Sequence, residues 1–394
     1  MTDVANPERI LFASTAHAFL VKEASLSRVR ELHASGMSFE PDWWRRAAEL
    51  GWASMLVPEE LGGGSVSGDG VGDLALIAEL IGRTVAPGPL HPVNTVLAGL
   101  VDAAAGSDSA QAHSDTIGAL VAGELIASWA VYEPQRGWSP LETTVTATAT
   151  DAGFRIDGVK DRVEAGPESN LFLVVAQCGD ELRQFLVPAD TPGVTVEAQQ
   201  SIDLIKRYAR VTFDGVEVGA DAVVGSADQT AALIGRQAQV AQVLQCAEVV
   251  GVLDTVMNFT IQWALDRYSF GRPLASYQAL KHRFADMKIW LEACRATSRA
   301  AVAAVGARAT DADMLVSVAK SYIGEHAAPM LQHCVQLHGG IGVTWEHDIH
   351  LFLRRVTLYR SMFGTPEEHN LRVYSCAETQ SSRERSSTAQ KAAS

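Results

Sequence analysis

Arg267-Tyr-Ser-Phe-Gly-Arg-Pro-Leu-Ala-Ser-Tyr-Gln278 lies where one long helical pattern ends and another begins. Fifty-eight residues after Gln278 comes Gln336-Leu-His-Gly-Gly340, followed by Ile341-Gly342. Arg267 and Arg272 bracket a Phe-Gly turn at the helix junction, and guanidinium groups bind pyrophosphate with fork geometry. Gly271 permits a backbone turn that other residues resist. Gly339-Gly340 lets the backbone come close to a ligand, and a following helix start offers free N–H groups to phosphate. Either segment alone reads equally well as a helix cap with a tight turn. The two together point to a dinucleotide cofactor, which would carry the redox chemistry.

Around these segments the chain divides by pattern. Residues 1–130 read as an N-terminal helical domain. Within it, Glu49-Leu50-Gly51-Trp52 ends one helix, and Asp73 to Arg83 carries apolar residues at helical spacing before Pro87-Gly-Pro89. Residues 131–227 read as a β domain. Thr143 to Thr150 alternates β-branched residues, and Leu171–Gln177, Gln184–Val187 and Tyr208–Phe213 read as strands. Asp157-Gly158, between Ile156 and Val159, and Asp214-Gly215 read as turns, the first as a hairpin. Helix returns over 228–378, and the Ser-, Arg- and Gln-rich tail over 379–394 reads as disordered.

Composition excludes several classes. The 394 residues carry a formal charge of −14, which disfavours nucleic-acid binding. Five scattered cysteines with no C-x-x-C argue for reduced thiols, against a disulfide frame or zinc site, and for a cytoplasmic protein. No basic region followed by an apolar run marks a signal peptide, and no stretch is expected to span a bilayer. Trp345-Glu-His-Asp348 and His350 invite a metal, but no E-x-x-H pair accompanies them, so no metal site is expected.

The motif pair, in this order and after a β region, resembles the two flavin-handling segments of the acyl-CoA dehydrogenase family, and the likeness covers about 370 residues. The resemblance implies an α+β fold: an N-terminal helical domain, a middle β-barrel or sandwich domain and a C-terminal four-helix bundle. It implies FAD held by Arg267, Ser269, Phe270 and Gln278 of one subunit with Gln336, Gly339 and Gly340 of its neighbour, and Thr365 as a further cofactor contact. A dimer or tetramer follows, of identical or different chains. The partners implied are an acyl-CoA substrate and electron-transfer flavoprotein or a similar acceptor. The reaction implied is α,β-desaturation, with proton abstraction at Cα and hydride transfer from Cβ to flavin N5.

Departures from the family pattern fall at the chemistry. In Tyr132-Glu-Pro-Gln-Arg-Gly-Trp-Ser139, matched to the family's Thr-Glu-Pro-Gly-x-Gly-Ser-like loop, Glu133, Pro134, Gly137 and Ser139 fit, and Ser139 is a substrate-binding candidate. The family's Lys-x-Trp-Ile-Thr-Asn reads Lys160-Asp-Arg-Val-Glu-Ala165 here, so Arg162 replaces the flavin-covering Trp and Glu164 replaces the Thr. These two read either as solvated strand-face charges or as a rebuilt flavin contact. The base in the family's Tyr-Glu-Gly-Thr motif becomes Phe363 in Met362-Phe-Gly-Thr365, and the alternative base position is Ala241.

One carboxylate remains on that long helix. Glu248 lies seven residues after Ala241, close to two helical turns along the same face, amid Val, Ala and Leu. A buried lone carboxylate there would have a raised pKa and suit proton abstraction. Ala-Glu-x-x-Gly at this spacing resembles actinobacterial acyl-CoA dehydrogenases of steroid side-chain degradation, which implies Glu248 as catalytic base and a bulky acyl group such as a steroid side-chain intermediate. The other reading is a glutamate satisfied by a neighbouring arginine of the bundle. Two functions stay open: a flavin-dependent oxidoreductase of lipid metabolism acting on a bulky acyl-CoA, or a non-catalytic partner subunit of a heteromeric enzyme. Glu367 and Glu368 read as caps of a following helix, and Lys206-Arg207 as loop cations.

Overall fold

The computed structural model describes residues 6–105 and 113–378, so the tail expected to be disordered from 379 lies outside the described residues. Six helices come first: α1 (Pro7–Glu23), α2 (Leu26–Ala34), α3 (Pro41–Glu49), α4 (Gly70–Thr84), α5 (Leu90–Ala105) and α6 (Ser114–Val121). Their starts carry the expected chemistry. Asn6, Ser25 and Asp69 accept backbone N–H groups at the heads of α1, α2 and α4, satisfying donors the helix leaves free.

A curled mixed sheet follows, made of β1 (Ala127–Ala130), β2 (Thr146–Thr150), β3 (Gly153–Glu164), β4 (Leu171–Cys178), β5 (Glu181–Pro188), β6 (Val194–Gln199) and β7 (Tyr208–Gly219). The order is β1-β4-β2-β3-β7-β6, with β5 on the other side of β4. Val145, Ile156, Phe172, Phe185, Val211 and Phe213 fill its own core. The two Asp-Gly pairs are not turns. β3 runs straight through Asp157-Gly158 and β7 through Asp214-Gly215, and the pairs face each other at a shift in register. The Gly215 amide donates to Asp157 Oδ1 at 2.8 Å, so the short polar side chain repairs a bulge where a hairpin was expected. The β2–β3 turn falls at Asp151-Ala152 instead.

The C-terminal bundle consists of α7 (Ala227–Asp266), α8 (Gln278–Gly306), α9 (Ala312–His338) and α10 (Ile349–Ser361), with α11 over 366–378 behind it. α7 has 40 residues and, contrary to the sequence expectation, is long and apolar enough to cross a membrane by length and composition. Its apolar residues are spent inside the fold, against α4, α5, α8 and α9.

The crossing of α4 and α7 fixes the depth of Glu248. A Cβ added to Gly82 would strike the Glu248 carbonyl, and one added to Gly251 would strike the Glu79 carbonyl. The two backbones therefore touch through reciprocal glycines. Gly251→Ala is expected to cost about 1–3 kcal/mol by overpacking. Urea unfolding checks this as a lower midpoint at unchanged slope.

Candidate active site

α5, the sheet and the end of α10 converge on one cleft. Trp129 sits on β1, and Val131 and Tyr132 follow it; Arg162 and Glu164 end β3. Met362 and Phe363 leave α10, and His91, Pro92 and Thr95 come from α5. These residues line a narrow cavity with room for little more than a water or two. Phe363 packs edge-on to Trp138 at 5.1 Å and beside Tyr132 at 5.8 Å between ring centroids. No carboxylate stands at Phe363 or Ala241, so neither usual base position can take a proton.

The backbone at Phe363 is left-handed, with φ 56°, and it is held on every side. The Phe363 amide donates to the Tyr132 hydroxyl. Its carbonyl accepts from Gln242 at 3.1 Å and lies 2.8 Å from His369 Nε2. Lys320, fully buried, donates to the carbonyls of Tyr359 and Met362 and to Gln245. Burial outweighs its other influences and draws its ammonium down to about 8. A strained residue fixed by this many bonds is a built feature of the loop.

Glu248 is wholly buried, but not alone. Arg355 of α10 donates to its Oε1, Tyr359 donates to Oε2 at 2.9 Å, and His91 Nε2 lies 3.0 Å from Oε2. Arg355 also donates to Asp203 of the β6–β7 loop at 2.5 Å and reaches the Val85 carbonyl after α4. Burial opposes the charged form of Glu248, yet Arg355, Lys206 and His91 hold the carboxyl well below its ordinary range. Asp203 shifts the same way for the same reason, with Arg355 as the main counterweight to burial. The raised carboxyl pKa expected from the apolar sequence around Glu248 is thus reversed. The sequence shows that helix face but not its partner, which arrives 107 residues later.

Other sequence candidates find different places. Ser139 is exposed on the loop after β1. Thr365 and Glu368 bond each other's side chain and backbone, capping α11 as expected of Glu368, while Glu367 pairs with Arg360. Glu133 is buried against Lys160, Thr143 and Thr144; burial resists its charge, but these partners bring it down to about 2, which makes it the anchor of its loop. Glu164 is no solvated strand-face charge: it is buried and paired with Lys206 at 2.8 Å. Arg207 bonds the Gly36 carbonyl. Among the described residues, no group of three or more His, Cys, Asp or Glu is arranged to hold a metal ion.

The motif pair forms a second, separate locus. Trp263, near the end of α7, donates to the Leu337 carbonyl at 3.2 Å and stacks on His338. Arg267–Gln278 and Gln336–Gly340 therefore share one edge of one protomer. Phe270, φ 50° and 97% exposed, stands at that edge with Gly271 and Gly339, both also at positive φ. Tyr268 is 63% and Val343 77% exposed, large apolar side chains left at the surface. Arg267, Gln278, Gln336 and Gly340 are exposed, and Ser269 is half-buried. From Gln242, which holds Phe363, to Arg267 is 25 residues of α7, or about 38 Å. The edge and the Phe363 end of the cleft thus stand far apart along α7.

Flavin fits these two loci differently. The edge suits its phosphates, with exposed arginines, left-handed turns and closely approachable glycines. The cleft does not suit its ring, because aromatic side chains and Arg162 fill it.

Comparison with known proteins agrees with this architecture. Residues 6–124 match the acyl-CoA dehydrogenase N-terminal domain and residues 232–375 the acyl-CoA dehydrogenase C-terminal domain. Acyl-CoA dehydrogenase IpdE2 of Mycolicibacterium smegmatis is 28% identical over 93% of this chain and 97% of its own length. The Tcur3481-Tcur3483 steroid ACAD is similar at TM-score 0.84 and 27% identity, covering 95% of this chain and 99% of the other. A chain of the ChsE4-ChsE5 complex from Mycobacterium tuberculosis is similar at TM-score 0.81 and 25% identity, covering 95% and 98%.

Proposed function

Because this chain belongs to the acyl-CoA dehydrogenase family, whose members are flavin-dependent oxidoreductases, we propose that it is one subunit of a heteromeric, FAD-dependent acyl-CoA dehydrogenase acting on a bulky acyl-CoA. Its part is to complete, with its motif edge, a flavin site whose ring cleft and catalytic base belong to a different chain of the same fold. FAD, when bound there, supplies the hydride acceptor for desaturation of the thioester. The observation that carries this reading is the split between an exposed, intact motif edge and a filled cleft about 38 Å away along α7. The paired chains of the ChsE4-ChsE5 complex and the steroid ACAD support both the heteromer and a ring-bearing acyl group.

The test is expression of the chain alone and together with a homologous acyl-CoA dehydrogenase chain that retains the Glu of Tyr-Glu-Gly-Thr. The chain alone is expected to be colourless. The mixed oligomer is expected to hold about one flavin per pair of chains and to bleach with a ring-bearing acyl-CoA in preference to butanoyl-CoA. A yellow, active oligomer of this chain by itself would overturn the reading.

A second reading keeps Glu248 as base. It is favoured by the position of Glu248 on the Ala241 face of α7 and by His91, which meets both Glu248 and the cavity. Glu248→Gln separates the two. A lost general base lowers turnover by about 10²–10⁴-fold. In the partner-subunit reading the folded mixed oligomer keeps turnover within a few-fold, and the loss appears in stability.

A further inference from the structure

We propose that Arg162 is a built-in plug of this chain's own ring cleft, locked to the Phe363 loop through Tyr132, and that it keeps the cleft free of flavin whatever chain is paired with it. Arg162 occupies an irregularity in β3, where the register against β7 shifts between Lys160 and Val163. Bulges re-aim side chains, and this one sends a strand residue into the cleft. Its backbone is left-handed at φ 50°. Among the described residues seven non-glycine positions have positive φ; two of them, Arg162 and Phe363, line this cavity, and a third, Gln135, lies in the loop that Arg162 bonds. Such strain persists only where the surroundings over-determine it, and it concentrates at functional positions.

The surroundings do so here. The Arg162 amide donates to Gln199 Oε1 at 3.1 Å. The guanidinium donates to the carbonyls of Glu133 at 3.1 Å and Arg136 at 2.7 Å, which ties it to both sides of the Gln135 corner. It lies 4.2 Å from the centroid of the Tyr132 ring. Tyr132 in turn accepts the Phe363 amide and packs against the Phe363 ring. The face and edge that a flat, hydrogen-bonding ring would use are thus taken by one cation, one phenol and one phenyl group. The two positions where the family keeps Trp and Glu have changed together into a pair that shares a tyrosine.

This deepens the partner-subunit reading and takes its meaning from it, but its test uses the isolated chain. Lumiflavin, the isoalloxazine ring without its phosphate tail, is titrated with wild type and with Arg162→Gly, a residue that accepts the left-handed backbone. Wild type is expected to bind too weakly to saturate, and Arg162→Gly to saturate with an affinity at least about tenfold above the wild-type limit, the scale of one recovered stacking contact. Arg162→Gly and Phe363→Gly are expected to be non-additive in urea unfolding, because both act through Tyr132. Saturable binding by wild type, or a folded Arg162→Gly that binds no better, would overturn the plug. Should Arg162→Gly fail to fold, Arg162→Gln loses the fork and reads the same comparison. A colourless mixed oligomer would defeat the partner-subunit reading and leave the lumiflavin result intact.

Discussion

Arg355→Leu is expected to lower the stability of the fold by about 3–5 kcal/mol and to reverse its response to pH. Arg355 is wholly buried between Glu248 and Asp203, and its removal leaves two buried carboxylates, with His91 beside Glu248 and Lys206 already paired with Glu164. In wild type both carboxyls titrate below their ordinary values. Their contribution is therefore complete above the unfolded pKa of about 4 and is lost as pH falls below it. In the variant the same groups lose their counter-charge, and burial pushes their folded pKa values above 4. Stability then falls as pH rises from about 4 through those raised values. Urea unfolding at pH 5 and pH 8 decides: the deficit should be larger at pH 8. A deficit independent of pH would mean that Arg355 acts through packing alone.

This cluster also shows where sequence reading stops. The fold was legible because helical periodicity, the run of strands and the motif pair are local patterns. The position of Glu248 on a buried helix face was legible for the same reason. Its chemistry was not, because charge balance is a tertiary property. Arg355 comes from α10, Asp203 from the β6–β7 loop, His91 from α5 and the Val85 carbonyl from the end of α4. Asp157-Gly158 misleads for a related reason. The pair favours a turn by itself, but its partner strand brings Asp214-Gly215 opposite, and the two form a matched bulge. Arg162 could be seen to replace a tryptophan. That it would turn inward depended on a bulge and on carbonyls of the loop after β1, neither of which leaves a local mark. The signal that did exist was the joint change at Arg162 and Phe363, two cleft positions altered in one chain.

In the mixed oligomer, Arg267→Ala in this chain is expected to weaken FAD retention by about 10–100-fold, the range for losing a charge-assisted hydrogen bond to phosphate. The prediction is sharp because Arg267 has little structural work within its own protomer. It is exposed, and its guanidinium lies 5.9 Å from the Trp263 ring centroid. The substitution should therefore leave the chain folded and the oligomer assembled, and the loss should appear as flavin released on dilution. Arg267→Lys should recover part of the affinity, since it keeps the charge and loses the fork. Rising salt should narrow the gap between wild type and Arg267→Ala, because screening weakens the contact that only wild type makes. On the partner-subunit reading the same substitution at the matched arginine of the other chain should do much less, because that arginine would face this chain's plugged cleft. Equal loss from either chain would mean that both clefts hold flavin. If neither substitution releases flavin, the exposed edge with Phe270 is a docking face only, and the phosphates are held elsewhere. The asymmetry between the two arginines is what separates a subunit that completes its partner's site from one that carries a site of its own.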